Sequence, residues 1–183
     1  SYELQWRSRL TETSRLEASL YRTDVQDAIA LDSDYRPQNL ASARINGFEA
    51  ALHQEVFGWQ SSLGLAIIDP RDRDTGHTLN RRARRTLSLD VDRQFDRLGL
   101  GATWQAFSHS YNDENNLQPI GGYALFGLRS SWAASNEVKL ELKLDNALDR
   151  RYSRTLYNFE GNNYGYREEG RTWMLSLTWT PEL

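Results

Sequence analysis

The sequence predicts an all-β fold, antiparallel throughout, whose strands form the wall of a transmembrane barrel. Three observations carry this expectation: apolar and polar residues alternate strictly, no segment has a convincing helical period, and the connections sort into short and long ones by turns. The alternation is clearest in Val138 to Asp145, where Val138, Leu140, Leu142 and Leu144 share one face and Lys139, Glu141, Lys143 and Asp145 the other. A soluble antiparallel sheet with one wet face alternates in the same way, so alternation alone does not decide between sheet and barrel. The sorting of the connections does.

Nine segments alternate. YELQWRSRL sets Tyr2, Leu4, Trp6 and Leu10 against Glu3, Gln5, Arg7 and Arg9, and RLEASLYRTDV sets Leu16, Ala18 and Leu20 against Glu17, Ser19 and Tyr21. INGFEAALH places Phe48, Ala50 and Leu52 opposite Glu49 and His53. In WQSSLGLAI, Trp59, Leu63, Leu65 and Ile67 oppose Gln60, Ser62, Gly64 and Ala66. TLSLDVD opposes Leu87, Leu89 and Val91 to Ser88, Asp90 and Asp92; LGLGATWQAF opposes Leu98, Leu100, Ala102, Trp104 and Ala106 to two glycines, Thr103, Gln105 and Phe107. ALFGLRSSW and VKLELKLD follow. TWMLSLTWT closes the series, with Trp173, Leu175, Leu177 and Trp179 opposite Met174, Ser176 and Thr178.

Short links are expected at Thr11 to Arg15, Gln54 to Gly58, Arg93 to Arg97 and Ala133 to Glu137. Long polar ones are expected at Leu31 to Arg44, Asp69 to Arg82, His109 to Gly122 and Asp149 to Gly170. Tight turns at one end and extended loops at the other characterise outer-membrane barrels. Trp6, Trp59, Phe95, Trp132 and Trp179 fall near the short turns, and Tyr111, Tyr123, Tyr152 and Trp173 near the long loops. Two such levels suit the aromatic girdles of a membrane boundary, although core aromatics of a soluble sheet give a similar composition. The aliphatic face is then expected to meet lipid and the charged face a wet lumen.

Composition sets outer limits. The chain has 183 residues, 26% of them charged, with a mean hydropathy of -0.71. No run approaches the roughly 18 to 20 apolar residues of a spanning helix, which excludes a helical bundle and leaves a barrel open. A net charge of -3 argues against a general nucleic-acid binder, despite the basic run Arg81 to Arg85. The chain has no cysteine, so neither a disulfide framework nor a thiolate metal site is expected. The opening SYELQW is already strand-like, which suggests a mature fragment. Nine strands also fit poorly with an autonomous barrel, because bacterial single-chain barrels close with even numbers.

The stretch Asp145-Asn146-Ala147-Leu148-Asp149-Arg150-Arg151-Tyr152, followed by Gly165-Tyr166-Arg167-Glu168-Glu169-Gly170-Arg171-Thr172-Trp173 and a last alternating strand, resembles the C-terminal end of TonB-dependent outer-membrane receptors. Upstream, Arg22 to Ile29, Ala43-Arg44-Ile45-Asn46-Gly47-Phe48-Glu49-Ala50 and Leu79-Asn80-Arg81-Arg82-Ala83-Arg84 are similar to the vitamin B12 (cobalamin) receptor branch. The resemblance implies that residues 1–183 are the C-terminal nine strands, 14 to 22, of a 22-stranded barrel, without plug domain or N-terminal strands. It implies a bacterial outer-membrane location, a transport receptor and not an enzyme, and no cofactor. The implied partners are cobalamin or another corrinoid, outer-membrane lipid and lipopolysaccharide, and TonB through the missing N-terminal region. A ferric siderophore receptor of the same superfamily and a small porin-like barrel are the alternatives. Two departures stand out: the chain ends Trp179-Thr180-Pro181-Glu182-Leu183, where members usually end on an aromatic residue, and Asn80 stands where the cobalamin pattern has Leu.

The resemblance carries substrate contacts onto two positions, Arg81 and Tyr166, both near the extracellular mouth. An arginine there can donate to amide or phosphate oxygens of a large ligand, and equally to lipopolysaccharide phosphates; a tyrosine offers a ring with a hydroxyl handle. Other constellations are weaker. Asp69, Asp72 and Asp74 fail the EF-hand spacing. Glu141, Asp145, Asp90 and Asp92 suit a hydrated wall better than a glycosidase pair. Ser108-His109-Ser110 lacks a nucleophile motif, and His53 and His77 are isolated, so no catalytic group and no metal set is expected.

Overall fold

The computed structural model describes residues 1–31 and 36–181. Thirteen strands follow in order: β1 (Tyr2–Thr11), β2 (Ser14–Leu31), β3 (Pro37–Val56), β4 (Trp59–Asp72), β5 (Arg85–Phe95), β6 (Leu98–Phe107), β7 (Ser110–Tyr111), β8 (Pro119–Ile120), β9 (Tyr123–Ala133), β10 (Val138–Asp145), β11 (Ser153–Phe159), β12 (Asn162–Arg167) and β13 (Thr172–Trp179). Nine of them form one sheet in the order β1-β2-β3-β4-β5-β6-β9-β10-β13, every neighbouring pair antiparallel. These are the nine segments expected from alternation. The remaining four pair off as β7-β8 and β11-β12 inside the long connections. Among the described residues there is no helix.

The register keeps the two faces separate from strand to strand. Leu140 stands opposite Trp132 and Leu177, Leu142 opposite Ser130 and Leu175, and Lys143 opposite Arg129 and Met174. Further along, Ala102 meets Val91 and Leu128, while Gly101 meets Asp92 and Arg129. A one-residue slip would send every leucine to the polar side, so the pattern fixes the pairing. The aliphatic face stays exposed even in the middle of the sheet, where Leu63, Leu100 and Leu142 are 40%, 39% and 40% exposed. Apolar area costs about 25 cal/mol per Å² in water, so such a face calls for a non-aqueous neighbour. β1 and β13 are the edges of this open sheet.

Two of the short turns are tight because residues there accept left-handed backbone. Phe57 and Gly58, with φ of 51° and 76°, join Val56 to Trp59, and Asp96, with φ of 49°, helps to join Phe95 to Leu98. At this level of the aliphatic face, Trp59 and Phe95 meet edge to face at 6.0 Å and Arg93 lies over both rings, 4.5 Å from that of Phe95. The lower aromatic level expected from the sequence is therefore present here.

The long connections differ from the expected polar loops. β2 and β3 stay paired up to Leu31 opposite Pro37, so the first connection shrinks from Leu31–Arg44 to residues 32–36. Its middle, 32–35, and the final Glu182 and Leu183 of the expected tail lie outside the described residues. The ladder continues past the aliphatic band because antiparallel pairing needs only backbone partners and no buried face.

The polar face is held by a charge network spanning three strands. Arg129 on β9 donates from Nη2 to Asp90 Oδ1 (2.6 Å), from Nε to Asp92 Oδ1 (2.9 Å), from Nη1 to Thr103 Oγ1 (2.7 Å), and also to Asp92 Oδ2. Thr103 in turn donates to Asp90 Oδ2 at 2.7 Å. Gly101 lies beneath the guanidinium, and a Cβ added there would collide with Asp92 Oδ1 and Arg129 Nε. Glycine on this strand is a matter of room for the arginine fork.

Candidate functional site

Where the long connections meet, short polar side chains do the work of backbone. In the β6–β9 connection, Asp113 is buried and accepts from the amides of Gln118 (2.7 Å) and Leu117 (3.1 Å), closing a turn in which Asn116 has φ of 59°. Asp and Asn suit such turns because their side chains reach nearby amides and tolerate left-handed backbone. Asn116 then clasps Thr78 of the β4–β5 connection as a second strand would: Thr78 N donates to Asn116 Oδ1 and Asn116 Nδ2 to Thr78 O, both at 2.8 Å. Thr78 is 4% exposed.

Asn112 joins three connections. Its Oδ1 accepts from Arg81 Nε (3.3 Å) and from the amide of Leu156 on β11 (2.9 Å), and its Nδ2 donates to Gln118 Oε1 (3.0 Å). Arg81 itself has φ of 55°, and its amide donates to Tyr111 O at 2.6 Å. The β11-β12 hairpin turns on Glu160 and Gly161, both at positive φ, and sets Leu156 opposite Gly165 and Tyr157 opposite Tyr164. Tyr166, 55% exposed, follows directly on Gly165, and its ring lies 4.6 Å from that of Tyr157. The two residues expected as substrate contacts are thus carried by one loop assembly, linked through Asn112.

Beside them runs a column of rings. Phe107 and Tyr123 lie 4.9 Å apart and Tyr123 and Tyr152 4.3 Å apart, with the Arg154 guanidinium 5.8 Å from the Tyr152 ring. The Tyr152 hydroxyl beside it, more than the carboxylate of Glu168, holds the Arg154 guanidinium above its ordinary range, so Arg154 is a fixed cation. Tyr157 adds a second group, stacked with Tyr164 at 5.6 Å.

This column corrects one expectation. Tyr123 pairs with Phe107, on the polar face with Gln105 and Thr103, so Tyr123 and Tyr152 do not belong to a girdle on the aliphatic face. Tyr111 lies against His109 at 5.8 Å. Phe107, an aromatic among the polar set of its strand, was the signal that could have revealed the column. Asn112 and Tyr157 escaped sequence reading altogether: Arg81 and Leu156, which Asn112 joins, lie in other connections, and Tyr157 meets Tyr164 and Tyr166 only through the pairing of β11 with β12.

The weaker constellations resolve into structure. Asp69 pairs with Arg71 (2.9 Å) and Arg84 (2.7 Å), and Asp72 Oδ1 accepts from the amides of Asp74 and Thr75 as a turn-former. Among the described residues no group of three or more His, Cys, Asp or Glu could hold a metal ion. The Asn-Ala-Leu-Asp stretch is a knot between β10 and β13. Asn146, buried with φ of 47°, exchanges bonds with Arg150 (2.8 and 2.9 Å) and donates to Glu169 O (3.3 Å), while Asp149 Oδ1 accepts from Arg171 N (3.0 Å).

The model of the TonB-dependent-receptor-like β-barrel matches residues 1–163. Among solved structures, the chain superposes on the ferric yersiniabactin uptake receptor FyuA of Yersinia pestis with a TM-score of 0.83 and 21% identity, covering 97% of this chain and 29% of that one. It superposes on the siderophore receptor PiuA of Acinetobacter baumannii with a TM-score of 0.73 and 21% identity (96% and 27% covered), and on the copper transporter OprC with 0.79 and 19% (97% and 30%). The chain therefore spans less than a third of the length of these structures. The long connections, the lipid-facing aliphatic wall and the knot before the last strand have one common explanation: the chain belongs to the TonB-dependent receptor β-barrel family of the bacterial outer membrane.

Proposed function

We propose that the chain is the C-terminal wall of a receptor that imports a metal chelate of the siderophore type, energised by TonB through an N-terminal region outside this sequence. The observation that carries this reading is the ring column Phe107-Tyr123-Tyr152 with Arg154 at its end. Planar chelating groups such as catecholates stack on tyrosine faces, and a fixed guanidinium balances the negative charge such chelates carry. Tyr166 extends the aromatic surface and contacts the ligand, while Arg81 holds the mouth in shape through Asn112 and offers its guanidinium to ligand oxygens. The names of FyuA and PiuA agree with this ligand class for those two proteins.

A corrinoid is the competing ligand, supported by the Arg81-Arg82-Ala83 run and by Tyr166 in its Gly-Tyr-x-x-x-Gly-Arg setting. Titrating the full-length receptor with ferric catecholate chelates and with cyanocobalamin, read by quenching of tryptophan fluorescence, decides between them. Tight binding of a ferric chelate with no response to cyanocobalamin is expected. The reverse result would transfer the assignment to corrinoids.

A further inference from the structure

Tyr152 and Tyr157 are an odd number of residues apart, so a regular strand would send them to opposite faces. The same parity would set Arg154 beside Leu156 and away from Tyr157. The structure does the reverse. In the β11-β12 ladder Ser153 stands opposite Arg167 and Leu156 opposite Gly165, three steps along β11 against two along β12. The extra residue is taken up at Arg154-Thr155, which together face the single residue Tyr166 as a β-bulge.

The side chains record the consequence. Ser153 and Leu156 share one face: a Cβ built on Gly165 would lie 2.9 Å from Ser153 Cβ, closer still to its Oγ, and 3.8 Å from Leu156 Cδ2. With Leu156 on that side, plain alternation would have put Ser153 on the other. Before the bulge the pairing resumes, Glu168 N donating to Tyr152 O at 3.1 Å. Tyr152 and Arg154 thus fall on the face of Tyr157, Tyr164 and Tyr166. There the Arg154 guanidinium lies 5.8 Å from the Tyr152 ring centre and 3.9 Å from the Glu168 carboxylate, while Tyr157 lies 4.6 Å from Tyr166. The bulge joins two sets of rings and sets a cation where they meet.

Gly165 is what this bulge requires. Its backbone is not left-handed, so the glycine supplies room and not conformation. A side chain at 165 would strike Ser153, and Ser153 leaves that face only if plain alternation returns; Arg154 and Tyr152 then turn away from the tyrosines. We propose that this bulge, kept by Gly165 and Ser153, is the receptor's charge-selectivity device: it aims Arg154 onto the tyrosine face, so that anionic chelates are taken in preference to uncharged ones. The inference rests on the chelate reading and deepens it. Rings alone stack on planar ligands whatever their charge, whereas a guanidinium among the rings tells the two apart. Arg154 is the contact, and Gly165 and Ser153 are positioning residues that never touch the ligand.

The full-length receptor tests it. Titration with a trianionic ferric tris-catecholate and with an uncharged ferric tris-hydroxamate, each at low and at physiological ionic strength, gives an affinity ratio. Expected is a wild-type ratio that favours the anion and shrinks with added salt. R154Q and G165V should each lower that ratio about three- to tenfold and weaken its salt dependence, as loss of a partly exposed charge contact does. In S153G/G165V the obstruction is gone, so the bulge and the ratio should both return. The mobility of unheated samples on gels reports barrel folding, and where G165V does not fold, G165A makes the same contact with less bulk. A wild type that prefers the uncharged chelate, a ratio unchanged by the substitution at Gly165, or no recovery in S153G/G165V overturns the positioning role while leaving chelate binding in place. Failure of both ferric chelates to bind the wild type overturns the chelate reading, and this inference with it.

Discussion

The side-chain oxygen of Asn112 accepts the backbone amide of Leu156, 44 residues further along the chain, at 2.9 Å. The same oxygen accepts Arg81 Nε. One amide group thereby sets the relative position of the β4–β5, β6–β9 and β10–β13 connections, and with it the distance between the Arg81 loop and the tyrosine hairpin.

Asn112→Ala should release the hairpin without unfolding the wall. Three hydrogen bonds vanish, at a local cost of about 1 to 3 kcal/mol. Hydrogen exchange at the Leu156 amide should accelerate and ligand affinity should fall, while the gel mobility of the unheated barrel stays unchanged. Unaltered exchange at Leu156 would show that the loops are held elsewhere.

Tyr166→Ala should weaken ligand binding about two- to tenfold, since a stacked ring contributes about 0.5 to 1.5 kcal/mol beyond its area. Tyr166→Phe separates ring from hydroxyl. A phenylalanine variant as weak as the alanine one would assign the contact to the hydroxyl.

Arg129→Met should destabilise the wall more than Arg129→Lys. Without the guanidinium, Asp90 and Asp92 lose their shared cation, and lysine cannot supply a fork to both. The groups are a third to a half exposed, which limits the loss to about 1 to 2 kcal/mol. Gly101→Ala should mimic it by displacing the same fork. Denaturant titration of the full-length receptor in lipid bilayers measures all three.

Leu142→Arg places a charge on the lipid face and should cost about 2 to 4 kcal/mol near mid-bilayer. Lys143→Leu, one residue on, removes only an exposed pair with Asp145 (2.9 Å) and should cost less than about 1 kcal/mol. Equal effects in the same titration would contradict the assignment of the two faces.

The nine wall strands were legible because each carries its own record: a residue's face follows from its parity, and lipid demands leucine where the lumen accepts lysine. Val138 to Asp145 needs no partner to be read. The extension of β2 and β3 to Leu31 and Pro37 was not legible, because above the membrane both faces are wet and alternation ceases to mark a strand. Arg81 and Tyr166 could be singled out only through a resemblance to receptors, and the residue joining their loops, Asn112, was silent. Two of its three partners, Arg81 and Leu156, lie in other connections, and no local pattern in the sequence encodes a contact between connections. The inward turn of Tyr123 was hidden for a related reason: an aromatic at a strand end suits either face, and only its register with Phe107 settles which.

The length of the β2-β3 ribbon has a consequence for how much substitution it tolerates. From Arg22 to Leu31 it runs about 30 Å along the strand beyond the last aliphatic rung at Leu20, paired with β3 as far as Pro37. Every rung of such a ribbon is supplied by the opposite strand's backbone, so substitutions between Asp24 and Leu31 that keep an extended backbone should leave the pairing, and the wall beneath it, in place.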